Sequence, residues 1–144
     1  MTVYKILQSK ADDTVFTITP NATVQEAAQM LSEKRIGTVV ISGDGKVPQG
    51  ILSERDIVRE VGKRGPGCLG EKVTEMMTKQ LETCTRKDKA DDILKRMTNG
   101  RFRHMPVVED GQMIGLITLG DVVKMRLAEV SMEKDALEGM IMGH

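Results

Sequence analysis

Two short segments of the chain place a hydroxyl and a carboxylate one helical turn apart: Ser53-Glu54-Arg55-Asp56 and Thr118-Leu119-Gly120-Asp121. Each follows a glycine and two aliphatic residues, Gly50-Ile51-Leu52 and Gly115-Leu116-Ile117. A hydroxyl with an acid three residues later at a helix start is a capping arrangement, because the pair satisfies amides that have no partner in the first turn. A cap alone tolerates Asn or Asp in place of the hydroxyl and Glu or Gln in place of the acid. That both segments keep a hydroxyl and then Asp points to a second use. A helix N-terminus offers amides and a positive dipole end to phosphate, the hydroxyl adds a donor, and a short carboxylate accepts hydrogen bonds from both hydroxyls of a ribose. The pattern describes a ribonucleotide cradle, written twice.

Other chemistry finds less support. Gly65-Pro66-Gly67-Cys68-Leu69-Gly70 matches the glycine spacing of a dinucleotide fingerprint. That fingerprint needs a strand before it and a helix after it; here a helical pattern precedes, and the stretch reads as a linker. The only histidines are His104 and His144, and no Gly-x-Ser-x-Gly or His-Glu-x-x-His occurs, so no nucleophile with its base is visible and the chain reads as non-catalytic. Cys68 and Cys84 have neither the number nor the spacing of a disulfide framework or a zinc site, and read as reduced thiols.

The elements that position the two cradles form an internal duplication. Gly, hydroxyl and Asp recur at a displacement of 65, and Val15-Phe16-Thr17-Ile18-Thr19-Pro20 parallels Leu81-Glu82-Thr83-Cys84-Thr85-Arg86 at 66. Val39-Val40 against Val107-Val108 gives 68, so the first copy must recover three residues in its turn from Asp44 to Gln49. Each copy reads as strand, helix, two strands and helix. Thr23 caps a first helix with Val24, Ala27, Ala28 and Leu31 at helical spacing and Glu26 as capping-box partner, while Val39-Val40-Ile41 is a buried strand. A second helix runs from Ser53 to Val61 and stops in the stretch from Gly62 to Gly70. The second copy repeats this with Ala90, Ile93, Leu94 and Met97 on its helix and Asp110-Gly111 as a hairpin turn. The expected fold is α/β (α+β), with two β-α-β-β-α repeats packed with pseudo-two-fold symmetry. Residues 1–65 hold the first repeat and an N-terminal segment, 66–72 a linker, 73–127 the second repeat, and 128–144 an amphipathic tail in which Val130, Met132, Leu137, Met140, Ile141 and Met142 suit docking.

Composition narrows the partners. Lys and Arg number 21 against 21 Asp and Glu, so the summed field that drives nonspecific phosphate-backbone binding is absent. Tyr4, Phe16 and Phe102 are too few to stack bases, and nucleic acid is not expected. No run approaches the roughly 18 apolar residues of a membrane span, and Met1-Thr2-Val3-Tyr4-Lys5 lacks an apolar leader, which reads as a cytoplasmic protein without membrane insertion. The eleven methionines read as core filler.

With these motifs the chain from about Val3 to Met125 resembles a tandem pair of cystathionine-β-synthase (CBS) domains, a Bateman module. The resemblance implies a two-lobed module that binds adenine nucleotides in clefts between paired repeats, with AMP, ATP or NAD(H) as ligand and no cofactor required. It implies that Asp56 and Asp121 hold ribose hydroxyls and that Ser53 and Thr118 approach phosphate or ribose. Arg103 and His104 fall where basic side chains of the family meet phosphate, with Arg55 and Arg101 able to assist. Thr17, Thr19, Thr83 and Thr85 fall on the strand lining the clefts, and Ile36 or Met105 flanks the base. The first copy departs from the pattern: Arg35-Ile36-Gly37-Thr38 has one basic residue and no proline, which implies a weaker, different or empty first cleft. A homodimer and an effector protein regulated in trans are implied in the same way. The alternative is a constitutive homodimeric scaffold with vestigial clefts.

Overall fold

A computed structural model describes residues 1–11 and 14–141, so Met142 and His144 lie outside the described residues. In chain order the elements are α1 (Val3–Ser9), β1 (Thr17–Ile18), α2 (Val24–Lys34), β2 (Thr38–Ile41), β3 (Gly50–Ser53), α3 (Glu54–Arg64), a 3-10 turn (Pro66–Gly70), α4 (Val73–Met76), α5 (Ala90–Gly100), β4 (His104–Glu109), β5 (Gln112–Thr118) and α6 (Leu119–Ile141).

The first lobe is a sheet in which β2 lies between parallel β1 and antiparallel β3, covered by α2 and α3. All four residues of β2 are buried, as an unbroken apolar run requires. Thr23 Oγ1 accepts the Glu26 N–H at 3.1 Å and starts α2 as its sequence predicts. The second lobe repeats the plan with β4 and β5, and Cys84 bridging Val107 in parallel takes the place of a full first strand. Asp110 and Gly111, at φ 52° and 77°, make the two-residue turn between them with the left-handed backbone that matches strand twist. Thr38 lies opposite Ser53 and His104 opposite Thr118, displacements of 66 and 65. The displacement of 68 expected for Val39-Val40 is thus corrected. Val40 corresponds to Pro106, and the paired strands conserve their faces because the error is an even number of residues. The helix expected to stop at Val61 continues to Arg64 and ends at Gly65, whose φ of 82° needs no Cβ.

The leading helices α1 and α4 cross over in packing. Val3 and Ile6 of α1 bury into the second core beside Ala90, Ile93 and Val107, whereas Val73 and Met76 of α4 bury into the first beside Ala22, Val24 and Leu52. Matching backbone bonds tie each leader across. Val3 N–H reaches Asp88 O at 2.8 Å and Ala90 N–H reaches Met1 O at 3.0 Å, while Val73 N–H reaches Ala22 O at 2.9 Å and Val24 N–H reaches Glu71 O at 2.8 Å. Divisions at 65 and 73 therefore do not separate the two cores, because each lobe closes its apolar face with the leader of the other. Gly115 allows the close approach of α1, since a Cβ there would lie 2.7 Å from Leu7 Cδ2; Gly50 stands in the same relation to Met77.

The lobes meet at a seam where Thr38 Oγ1 lies 3.0 Å from His104 Nε2. These two positions are equivalents, and a contact between equivalents marks the pseudo-two-fold axis. α6 runs without a break past Ala128 to Ile141, leaving Leu127, Val130, Met132, Leu137 and Ile141 exposed. Among the described residues no helix is long and apolar enough to cross a membrane. Cys68 and Cys84 are buried free thiols, and burial pushes the Cys84 thiol up to about 12.

Candidate functional site

The hydroxyl–carboxylate pairs sit at the starts of α3 and α6, each directly after the last strand of its lobe. Glycine and two aliphatics bring that strand through the core, so the next residue emerges at its end. In the first lobe Asp56 Oδ2 accepts from Ser53 N–H and Ser53 Oγ, both at 2.9 Å, while Asp56 N–H donates to Ser53 Oγ at 3.2 Å. Asp121 Oδ2 accepts Thr118 N–H at 2.9 Å and Asp121 N–H donates to Thr118 Oγ1 at 3.1 Å. The capping arrangement is thus fully formed in α3 and largely repeated in α6. The first helical amides are engaged too, Glu54 N–H by Gly37 O at 2.9 Å and Leu119 N–H by Arg103 O at 2.8 Å. The expectation that the helix starts present a set of amides to phosphate is corrected accordingly, since most of those donors are already bonded inside the protein.

Open space adjoins both helix starts. A groove of about 810 Å³ runs from Ser53, Arg55 and Asp56 across to Arg101, Arg103 and His104 of the other repeat, with residues 78 and 80–82 as a third wall. Arg59 also lines it and contacts Asp56 Oδ1 at 3.0 Å. Four arginines, Arg55, Arg59, Arg101 and Arg103, therefore share the lining with three carboxylates, Glu54, Asp56 and Glu82, of which Asp56 stands beside the Ser53 hydroxyl. Basic residues of the second repeat thus line the groove at the helix start of the first. A second groove, about 610 Å³, lies over the first turns of α6 between Arg103, His104, Thr118, Gly120, Lys124 and Leu127. Asp121 does not line it; its carboxylate is held by Lys10 Nζ at 3.1 Å.

His104 lines both grooves. Burial, and after it the charge of Arg103, lowers the imidazole below its ordinary value, opposed by Asp121 and Asp56. One ring on the axis thus feels the carboxylate of each cleft.

The remaining expected site residues lie elsewhere. Ile36 packs against the first core, Thr17 pairs with Val40 inside the sheet, and exposed Thr83 gives its carbonyl to Arg96 at 2.8 Å; none of the three lines either groove. Of the threonines expected on the first strand of each copy only Thr17 lies in one, because β1 is only two residues long and its counterpart shrinks to one bridge at Cys84. Arg59, Thr38 and Lys10 were missed. Arg59 was legible as an i+3 partner of Asp56. Thr38 and Lys10 reach their partners only through tertiary structure.

Two stretches of the chain, residues 10–63 and 73–128, match the CBS domain family profile. The mitochondrial CBS domain-containing protein CBSX3 of Arabidopsis thaliana is 32% identical over 149 residues, spanning 99% of this chain and 72% of that protein. The crystal structure of a CBS-domain containing protein from Agrobacterium tumefaciens superposes with a TM-score of 0.81 at 40% identity, over 88% of this chain and 99% of that one. A CBS domain protein from Pyrobaculum aerophilum, solved in complex with AMP, shares the fold at a TM-score of 0.72 and 24% identity, over 84% of this chain and 89% of its own.

Proposed function

The chain belongs to the CBS domain family, and we propose that it is a non-catalytic regulatory module that binds an adenine nucleotide (AMP, ATP or NAD(H)) and acts on a partner protein in trans. The observation that carries the reading is the groove in which a hydroxyl and a carboxylate on one repeat face Arg101 and Arg103 of the other. Ribose hydroxyls donate to Asp56 and phosphate oxygens accept from the guanidinium groups, so one ligand bridges both repeats. A ligand that bridges the seam changes the relative stability of lobe placements, which is the means by which binding reaches a partner. The AMP complex of the Pyrobaculum protein supports the ligand class. The protein acts in the cytoplasm on this reading. Isothermal titration with AMP, ATP and NADH is the test: saturable heat with at least one is expected, and no heat with any of them together with unchanged melting would overturn it.

The constitutive interaction reading keeps one observation of its own, and it supports a homodimer. Val123, Leu127, Val130, Leu137 and Ile141, with Lys134 in the same series, follow each other at alternating steps of four and three along α6, the seam spacing of paired helices. Lys124 and Arg126 flank the beginning of this seam, and Glu133, Asp135 and Glu138 its end, so two copies running antiparallel set opposite charges against each other. Deleting residues 128–144 separates the roles: self-association is lost in sedimentation while nucleotide binding stays.

A further inference from the structure

We propose that Lys10 closes the cleft of the second repeat, so that an adenosine ligand fills the Asp56 cleft first and reaches Asp121 only by displacing an internal cation. This rests on the reading above that the two hydroxyl–carboxylate pairs hold ribose.

The internal symmetry breaks at this cleft. In the first repeat the chain after α4 runs along β3, and Thr78 N–H donates to Ile51 O at 2.8 Å while Ile51 N–H donates to Thr78 O at 3.1 Å. Leu116 is the counterpart of Ile51. Among the described residues no such edge forms there, and α1 continues to Ser9, three residues beyond the counterpart of the end of α4. Lys10 follows as the C-cap, and its ammonium takes the place of the missing backbone donor, 2.8 Å from Leu116 O. From that anchor it reaches Asp121 Oδ2 at 3.1 Å, with side chains only 19% and 24% exposed.

The two carboxylates therefore start from different states. Asp56 lines its groove and is paired with Arg59, whose side chain is 52% exposed and free to swing into water with little loss. Asp121 is turned from its groove toward a cation held at a second point. A ribose offers neutral hydroxyls in exchange, and releasing Lys10 leaves Leu116 O without its donor, so binding there carries an added cost that binding at Asp56 does not. The order of the clefts is the reverse of the one implied by the single basic residue in Arg35-Ile36-Gly37-Thr38.

Titration with AMP tests this. Lys10→Gln keeps an amide donor for Leu116 O and removes the charge; Lys10→Arg keeps the charge. In an Asp56→Ala background, which isolates the second cleft, Lys10→Gln is expected to bind AMP about fivefold or more tighter than Lys10, the factor for removing a competing, partly screened ion pair. Lys10→Arg is expected to bind as weakly as Lys10, and adding Asp121→Ala to Lys10→Gln to abolish the gain. A gain in affinity cannot arise from partial unfolding, and melting curves of each variant check the fold independently. Equal or weaker AMP binding by Lys10→Gln, with wild-type binding intact, overturns the role of Lys10 alone. Absence of AMP binding in the wild type and every variant overturns the ribose assignment and this inference with it.

Discussion

The proposed ribose role of Asp56 can be separated from its capping role by substitution, because the cap depends on an acceptor oxygen and the ribose contact on a charge. As a cap, its Oδ2 accepts from Ser53 N–H and Ser53 Oγ. Asp56→Ala removes the acceptor of both bonds and leaves a half-buried amide without a partner, an expected loss of about 1 to 2 kcal/mol. For a chain of this size that lowers the melting temperature by about 2 to 4 °C for each kcal/mol. The exposed bridge to Arg59 adds nothing measurable to this figure. Asp56→Asn retains an oxygen for the Ser53 amide and should melt within about 1 kcal/mol of wild type. In the proposed ribose role the carboxylate would accept two hydrogen bonds whose strength depends on its charge, so both variants should weaken AMP by about 1.5 to 3 kcal/mol, about 10- to 150-fold in Kd. The informative protein is Asp56→Asn, measured by titration calorimetry beside thermal melting. If it keeps wild-type stability and wild-type affinity for AMP, Asp56 is a helix cap and the ribose role is wrong.

Three further outcomes are expected. Burial and Arg103 hold the folded-state pKa of His104 below the ordinary 6.5, so the unfolded chain binds the proton first; stability is whole above about pH 6.5 and declines as pH falls toward the folded value. Melting between pH 8 and pH 5 should show a smaller decline for His104→Gln than for wild type, and parallel curves would remove His104 as the source. Gly115→Ala drives a Cβ to 2.7 Å from Leu7 Cδ2 and should cost about 1 to 3 kcal/mol in denaturant unfolding, partly relieved by Leu7→Ala; strictly additive losses would mean the two do not touch. Arg101 closes α5 in the left-handed region at φ 56° while lining the Asp56 groove, so Arg101→Gly should stabilise the fold by about 1 kcal/mol and weaken AMP, and a variant that gains stability with unchanged affinity denies Arg101 a ligand role.

What the sequence revealed and what it hid divide along a physical line. Thr23 with Glu26, Ser53 with Asp56, Thr118 with Asp121 and the Asp110-Gly111 turn were legible because each is a contact within four residues, where geometry follows from spacing. The alternation of apolar runs and turns placed β2 to β5 for the same reason. The exchange of leaders was hidden, although Val3-x-x-Ile6-Leu7 and Val73-x-x-Met76-Met77 carry a faint signal at a displacement of 70. A four-residue helix such as α4 is too short to show a period, and its burial is decided by the lobe it meets across the molecule. The grooves were hidden likewise. That Arg101 and Arg103 line the same groove as Asp56 follows from packing about the axis, and no local pattern reports it.

The duplication explains why the module can carry two unequal clefts on one plan. Positions that build the scaffold are kept equivalent in both lobes: αL caps at Arg35 and Arg101, glycines at 50 and 115 under Met77 and Leu7, and leader bonds to residues 22 and 88. Positions around the carboxylates are not. Gly37 stands where the other repeat has Arg103, Thr38 where it has His104, and the Thr78 edge where it has the Lys10 ammonium. Arg103 brings positive charge to the Asp56 groove and Lys10 brings it onto Asp121, while His104 puts a ring with a lowered pKa on the axis. Two identical clefts sharing one axis would fill at the same ligand concentration. On the proposed ligand reading, unequal charge about a common histidine predicts different thresholds, and the Thr38–His104 contact is the place where coupling between the clefts would be sought.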